Sequence, residues 1–288
     1  MNIFTIGGSG LVGSRIKELL GNKHSFDDLS LTNGVNITDP ASLENVKNDT
    51  EHGVVILLAA KADVDGCEAD KSLGEEGDAW KINVGGVQNV VNACRPTNKK
   101  LIYISTDFVF NGENTPEGGY VESDTPNPLN WYATTKFKGE EVVKNSGLPF
   151  IIARIAYPYR KEFNLKKDFA RAIIDRLKNN QSVAAITDHT MTPTFIDDIA
   201  VCIDVLIHHN KTGIFHVTGS QSLTPYDAAI QIAERFGLDK NLISKTTRSE
   251  YFAGKAQRPL NVSINNEKIR NLGVEMKTFE EGLESISL

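Results

Sequence analysis

The chain opens on a short apolar run, Asn2–Ile6, that passes without a break into Gly7-Gly8-Ser9-Gly10-Leu11-Val12-Gly13. Glycines in GxxGxxG spacing allow a tight turn and let the backbone approach a pyrophosphate. The helix that follows, Leu11–Leu20, offers free N–H groups and a positive dipole end, and the last glycine lets it pack closely on the sheet. A strand, a glycine turn and a helix in that order predict a dinucleotide-binding unit, with Gly7, Ser9, Gly10, Leu11, Val12 and Gly13 against the cofactor.

Downstream, short apolar runs alternate with amphipathic stretches. Leu29–Leu31, Val54–Ala60, Leu101–Ser105 and Phe150–Ile155 read as strands. Trp80–Cys94, with Ile82, Val87, Val90 and Val91 on one side, and Trp131–Asn145 read as helices. Apolar strands between helices predict a parallel sheet covered on both faces, hence an α/β, Rossmann-like, doubly wound fold. From Ala156 the pattern changes: helices over Phe169–Leu177, Ile196–His208 and Pro225–Phe236 alternate with short strands such as Ile214–Val217. The expected division is a dinucleotide-binding domain over 1–155 and, over 156–288, a smaller C-terminal substrate lobe interleaved with the last sheet strands.

The 288 residues carry a formal net charge of -6, which argues against non-specific nucleic-acid binding. The three cysteines, Cys67, Cys94 and Cys202, lack CxxC spacing, so neither a disulfide framework nor a zinc site is expected, and a reducing cytoplasm fits. The N-terminus does not read as a signal peptide, and no apolar run is long enough to cross a bilayer. His208-His209 reads as a dipole-favoured helix end and Asp197-Asp198 as a helix start, so no metal is assigned. Lys99-Lys100 and Lys166-Lys167 read as solvated faces, and Trp131 as a packing residue.

Two patterns bear on chemistry. The second strand, Leu29-Ser30-Leu31-Thr32, ends without an acid to hold ribose hydroxyls, and Arg15 lies within reach of a 2′-phosphate. NADP or NAD is expected, with a mild preference for NADPH. Tyr132 and Lys136 stand at i and i+4, so they share a helix face, where an ammonium makes a phenolate easier to form and the pair can relay a proton. Thr106 ends the fourth strand, at the sheet edge where ligands bind, and can orient a carbonyl.

Together these segments resemble the extended short-chain dehydrogenase/reductases, and more narrowly the dTDP-4-dehydrorhamnose reductase family, over nearly the whole chain. Asn36-Ile37-Thr38-Asp39-Pro40 is similar to a D-x-T-D-P segment near adenine. Ala59-Ala60 with Val64-Asp65-Gly66-Cys67-Glu68, and Asn83 on the next helix, match further blocks. Ser105-Thr106-Asp107-Phe108-Val109-Phe110-Asn111-Gly112 lies close to S-T-D-Y-V-F-D-G, followed by Glu122, Pro128-Leu129-Asn130 and Tyr132–Lys136. Asp188 with Pro193-Thr194, and Arg258-Pro259-Leu260-Asn261, resemble substrate-loop motifs. Departures are Asn36 for Asp, His189 for Gln, Val262 for Ser, Phe108 for Tyr and Tyr157 for Trp.

The resemblance implies reduction of a 4-keto group on a nucleotide-activated deoxysugar, catalysed by Thr106, Tyr132 and Lys136. It implies that Asn36, Ile37, Ala59, Ala60, Lys61 and Lys136 join the glycine turn in holding the cofactor. Thr106, Asp107, Val109, Phe110, Tyr132, Tyr157 and Arg258 would line the substrate site. Two alternatives stand beside it. One is an epimerase or dehydratase of the same superfamily, disfavoured because Phe108 follows Thr106-Asp107 where a dehydratase has Glu. The other is a non-catalytic cofactor-binding subunit like the regulatory subunit of methionine adenosyltransferase. A nucleotide sugar is the expected partner, nucleic acid and membrane are not, and a homodimer is left open.

Overall fold

The computed structural model describes residues 1–163 and 165–287. Among the described residues ten strands are formed: β1 (Asn2–Ile6), β2 (Ser25–Leu29), β3 (His52–Leu57), β4 (Lys100–Thr106), β5 (Phe150–Ile155), β6 (Pro158–Tyr159), β7 (Val183–Ile186), β8 (Thr194–Phe195), β9 (Gly213–His216) and β10 (Ile243–Thr246). Six make one sheet in the order β2-β1-β3-β4-β5-β9, and every pairing in it is parallel. The chain steps outward from β1 to β2 and then crosses to β3 on the other side. The carboxyl ends of β1 and β3 therefore face a crevice, the usual ligand position in open α/β sheets.

Alternate residues of each strand serve opposite faces. Ile3, Ile56, Ile102, Ile104, Ile151 and Ala153 pack under the helices Leu11–Leu20 and Ile196–His208. Phe4, Val55, Leu57, Leu101, Tyr103 and Ile152 pack with Val87, Val90, Val91 and Val143 on the other side. Both faces are buried, which is why these strands read as continuous apolar runs. Two pairs of short strands, β10-β7 and β6-β8, lie outside the main sheet. A further core of Tyr159, Ile174, Phe195, Ile232, Phe279 and Leu283 joins β6 and β8 to the later helices, while Val183, Ala185 and Ile243 of β7 and β10 pack with Leu177, Ala229 and Ala233. The late strand β9 returns to the main sheet beside β5.

Several sequence expectations shift. The second strand runs over Ser25–Leu29 rather than Leu29–Leu31, and Leu31–Asn33 forms a 3-10 turn. This edge strand carries two acids between Phe26 and Leu29, and both have partners: Asp28 Oδ1 accepts from the Gly8 N–H (3.1 Å), and Asp27 meets His52 at the start of β3 (2.9 Å). Strand β3 stops at Leu57, which leaves Ala59 and Ala60 in the loop over the crevice. Lys99 and Lys100 are not a solvated face: both are buried. Lys99 Nζ donates to the carbonyls of Asp49 (2.6 Å) and His52 (2.8 Å), and Lys100 Nζ to Asn210 Oδ1 (2.6 Å). Lys166 and Lys167 are exposed as expected. The helix expected from Trp80 contains a π-helical stretch, Lys81–Gly86, ahead of Val87–Cys94.

Candidate active site

The glycine turn is shaped by steric need. Gly7 has φ +81°, and a Cβ there would lie 2.8 Å from the Ala59 amide nitrogen. A Cβ on Gly13 would lie 2.7 Å from the Gly8 Cα, so helix and turn touch backbone to backbone. Gly10 begins the helix Leu11–Leu20 with no side-chain cap and no acid in the first turn, so the leading N–H groups face outward. The turn borders a cavity of about 360 Å³ lined by Gly7, Gly10, Leu11, Val12, Gly13 and Ala60 at one end. At the other end Thr106, Asp107, Tyr132, Lys136 and Tyr157 line the same cavity. This cradle fits a dinucleotide whose pyrophosphate lies on the turn.

The helix Trp131–Lys144 places Tyr132 and Lys136 on the cavity wall. Asn130 caps it, accepting from the Ala133 N–H (2.9 Å). Lys136 is 3 % exposed and donates to the Ile104 carbonyl (2.8 Å), with its ammonium 4.1 Å from the Tyr103 ring centre. Burial lowers it to about 7, against the attraction of Glu140. Burial raises the Tyr132 phenol, and a hydrogen bond with Thr106 opposes that rise. The expected stabilisation of the phenolate by Lys136 is therefore not what dominates here: the ammonium is turned to β4, and Tyr132 stays a protonated donor at neutral pH.

Beneath this turn lies a buried polar chain. Glu140 accepts from Ser105 Oγ (2.6 Å), Arg154 Nε (2.9 Å) and Arg154 Nη2 (2.7 Å). His216 Nδ1 donates to the Asn265 carbonyl (3.1 Å), which leaves Nε2 to accept from Arg154 Nη1 (3.4 Å). Burial and the Arg154 charge hold His216 near 3, so it is neutral. Sequence reasoning missed the pairing of Glu140 with Arg154. The available signal was a lone arginine in the apolar strand Phe150–Ile155, since a charge there demands a buried partner.

Tyr157, at φ +40°, donates its hydroxyl to His189 Nε2 (2.7 Å). His189 Nδ1 in turn donates to the carbonyls of Pro259 (2.8 Å) and Leu260 (3.2 Å), and burial holds the ring neutral, near 4. Tyr157 also borders a second cavity of about 400 Å³, with Phe169, Met191 and Phe252 among its lining. Tyr157 thus divides the two spaces. Arg258 donates from Nη1 to Asp65 Oδ1 (2.7 Å) and covers the Phe252 ring (4.4 Å).

Other residues fall elsewhere. Val109 and Phe110 do not face the cavity: they are buried with Tyr120, Val262 and Ile264 in a separate apolar cluster. Ile37 is core, packed on Gly86, while Asn36 is exposed and folds back on Thr38 (2.9 Å). Lys61 turns its ammonium to Asp70 (2.6 Å), and its N–H donates to Asn83 Oδ1 (2.9 Å). Ser9 and Ala59 are partly exposed in the loops beside the crevice. Arg15 does not stand free for a phosphate: it makes a two-point pair with Asp197 (2.7 and 2.6 Å). Trp131 packs on Trp80 (5.9 Å between ring centres). Donor atoms of His24, Asp204 and His208 lie within 4.8 Å of one another, outside the cavity lining. Among the described residues no helix is long and apolar enough to cross a membrane.

Comparison with known proteins agrees with this geometry. A methionine adenosyltransferase 2 subunit beta from Mus musculus is 30% identical over 257 residues, covering 86% of this chain and 74% of that protein. A probable low-salt glycan biosynthesis reductase, Agl14, from Haloferax volcanii is 28% identical, covering 99% of this chain and 97% of the relative. The crystal structure of dTDP-4-dehydrorhamnose reductase from Bacillus anthracis in complex with NADP superposes with a TM-score of 0.88 at 28% identity, covering 98% and 97% of the two chains. Residues 1–287 match the family described as RmlD substrate binding domain, and the chain belongs to that family.

Proposed function

We propose that this chain is an NAD(P)H-dependent reductase acting on the 4-keto group of a nucleotide-activated deoxysugar. The observation that carries the reading is one cavity bordered at one end by the glycine turn and at the other by Thr106, Tyr132 and Lys136. A reduced nicotinamide, when bound, supplies the hydride. Tyr132, kept protonated by burial, gives its phenolic proton to the carbonyl oxygen as the carbonyl carbon is reduced. Thr106 orients that oxygen. Lys136, on the same wall, is placed to hold nicotinamide-ribose hydroxyls. Tyr157 and Arg258 frame the sugar-nucleotide side, and Ser9, Ala59 and Ala60 the cofactor side.

A preference for NADPH is the finer part of this reading. Its support is that Ser30 and Thr32 stand where β2 ends, while the nearest acid, Asp28, is committed to the Gly8 N–H and Lys17 (2.7 Å). A cytoplasmic location fits three cysteines that are all free and buried. The deciding assay follows NADPH and NADH oxidation with dTDP-4-keto-6-deoxy sugar. Cofactor consumption with formation of the 4-hydroxy sugar supports the reductase. The similarity to a methionine adenosyltransferase subunit favours a second reading, a regulatory cofactor-binding protein. Tight cofactor binding without turnover across a panel of keto-sugar nucleotides would select it.

A further inference from the structure

A second group of side chains converges away from the main cavity. Asp204 and His208 stand at i and i+4 near the end of the helix Ile196–His208, so their side chains share one face. His24, in the turn between the helix Leu11–Leu20 and β2, meets that face although it lies 180 residues before Asp204 in sequence. Its Nε2 is 2.8 Å from Asp204 Oδ1, and His208 Nε2 is 3.7 Å from the same oxygen. All three donor atoms lie within 4.8 Å of one another. Reading His208 as a dipole-favoured helix end does not anticipate this convergence, because the third member comes from a distant turn.

The longer of the two contacts is too long for a hydrogen bond. Two imidazoles aimed at one carboxylate oxygen match instead three ligands gathered about one ion. Bonds of about 2.0–2.2 Å put the ligand atoms of a tetrahedral ion roughly 3.4 Å apart, a value that falls between the two separations found here. Two nitrogens and one carboxylate oxygen suit a zinc-class ion, whereas magnesium and calcium take oxygen donors in greater number. The surroundings allow an ion to enter and be held. His24 and Asp204 are buried, which fixes two ligands, and exposed His208 opens the third side to solvent. Lys23 Nζ holds the other carboxylate oxygen, Asp204 Oδ2 (2.6 Å), and so leaves Oδ1 as the single donor. The Lys23 charge opposes a cation, but its side chain is exposed and the surrounding water screens it. His24 Nδ1, the nitrogen left over, faces the Met1 nitrogen (3.5 Å).

We propose that His24 Nε2, Asp204 Oδ1 and His208 Nε2 form a binding site for one divalent ion of the zinc class, with water completing a tetrahedron. Binding displaces the proton that His24 shares with Asp204. The ion ties the turn before β2 to the end of the helix Ile196–His208. Nearer their starts, the helices Leu11–Leu20 and Ile196–His208 are already joined by the pair Arg15–Asp197 (2.7 and 2.6 Å). A metal cross-link closes the other end of this helix pair. None of the three ligands lines the main cavity. The ion therefore serves the stability of the dinucleotide-binding half, and the proposal stands apart from the reductase reading.

The test uses the untagged full chain, stripped with a chelator and dialysed. Zinc chloride is titrated calorimetrically into the wild type, His208→Ala and His209→Ala, each checked for native near-ultraviolet circular dichroism. His208 is exposed, so its removal leaves the core untouched, and exposed His209 is the neighbouring control. The wild type and His209→Ala should each bind one zinc ion per chain in the micromolar range, and His208→Ala should bind it about 10-fold or more weakly. A large excess of zinc should raise the melting temperature of the wild type by about 3 °C or more and leave that of His208→Ala nearly unchanged. Magnesium chloride in place of zinc should do neither. His24→Gln, at the buried ligand, should repeat the loss seen in His208→Ala. The proposal is overturned if the wild type shows no saturable zinc binding, if His208→Ala binds zinc as the wild type does, or if His209→Ala loses the ion as well.

Discussion

Glu140 and Arg154 meet as a two-point ion pair, Nε to Oε1 at 2.9 Å and Nη2 to Oε2 at 2.7 Å, with neither residue more than 1 % exposed. The pair joins the Tyr132–Lys136 helix to β5, and through Ser105 to the end of β4. Removing one member leaves a buried charge uncompensated. Glu140→Ala should destabilise the fold by about 3–5 kcal/mol, and the double variant Glu140→Leu/Arg154→Met should recover most of that loss. Urea unfolding of the three proteins measures both effects.

Tyr132→Phe removes the proton donor but keeps the ring that packs against Phe108 (6.1 Å between centres). Turnover should fall by roughly 10²-fold or more while NADPH affinity changes little. Full activity in this variant would falsify the assigned donor. Stopped-flow hydride transfer and fluorescence titration of NADPH separate the two quantities.

Gly7→Ala forces a side chain into φ +81° and against the Ala59 backbone. The turn must shift, so NADPH affinity should weaken by about 10-fold or more while the far end of the cavity is spared. Calorimetric titration with NADPH reads this directly, and unchanged binding would show that the turn does not contact the cofactor.

Asp107 is raised from the ordinary carboxylate range to about 7 by burial. Between pH 4 and 7 the unfolded carboxyl is ionised while the folded one keeps its proton, so this residue's contribution to stability falls as pH rises through that window. Asp107→Asn removes the penalty. Its melting temperature relative to the wild type should be higher at pH 8 than at pH 5, as differential scanning fluorimetry would record.

Lys136 shifts the other way, down to about 7. The unfolded lysine binds a proton that the folded one has lost between pH 7 and about 10.4, so its contribution to stability rises with pH across that interval. Lys136→Met should flatten this rise. Thermal melts of both proteins at pH 7 and 9.5 test it, and parallel shifts would mean that Lys136 is fully charged in the fold.

Much of this architecture is legible from the chain because its strands are buried on both faces. Phe150–Ile155 and the helix Ile196–His208 appear at the residues where apolar periodicity puts them. The edge strand Ser25–Leu29 escapes that signal, because Asp27 and Asp28 break its apolar run and find partners in His52 and the Gly8 amide. The Tyr132–Lys136 spacing shows which side chains share a wall, but not that Lys136 leans toward the Ile104 carbonyl. That direction depends on β4 passing beneath the helix. Val109 and Phe110 sit inside the best-matched motif and yet serve the core, since a motif records which residues occur together and not which face they take.

The strand that covers the free edge of β5 is supplied by Gly213–His216, far along the chain from Phe150–Ile155. During synthesis, β5 must therefore leave the ribosome and wait with its outer backbone amides and carbonyls unpaired. A product ending near residue 155 would keep the glycine turn but expose a sticky sheet margin, so it is expected to self-associate rather than persist as a smaller working unit.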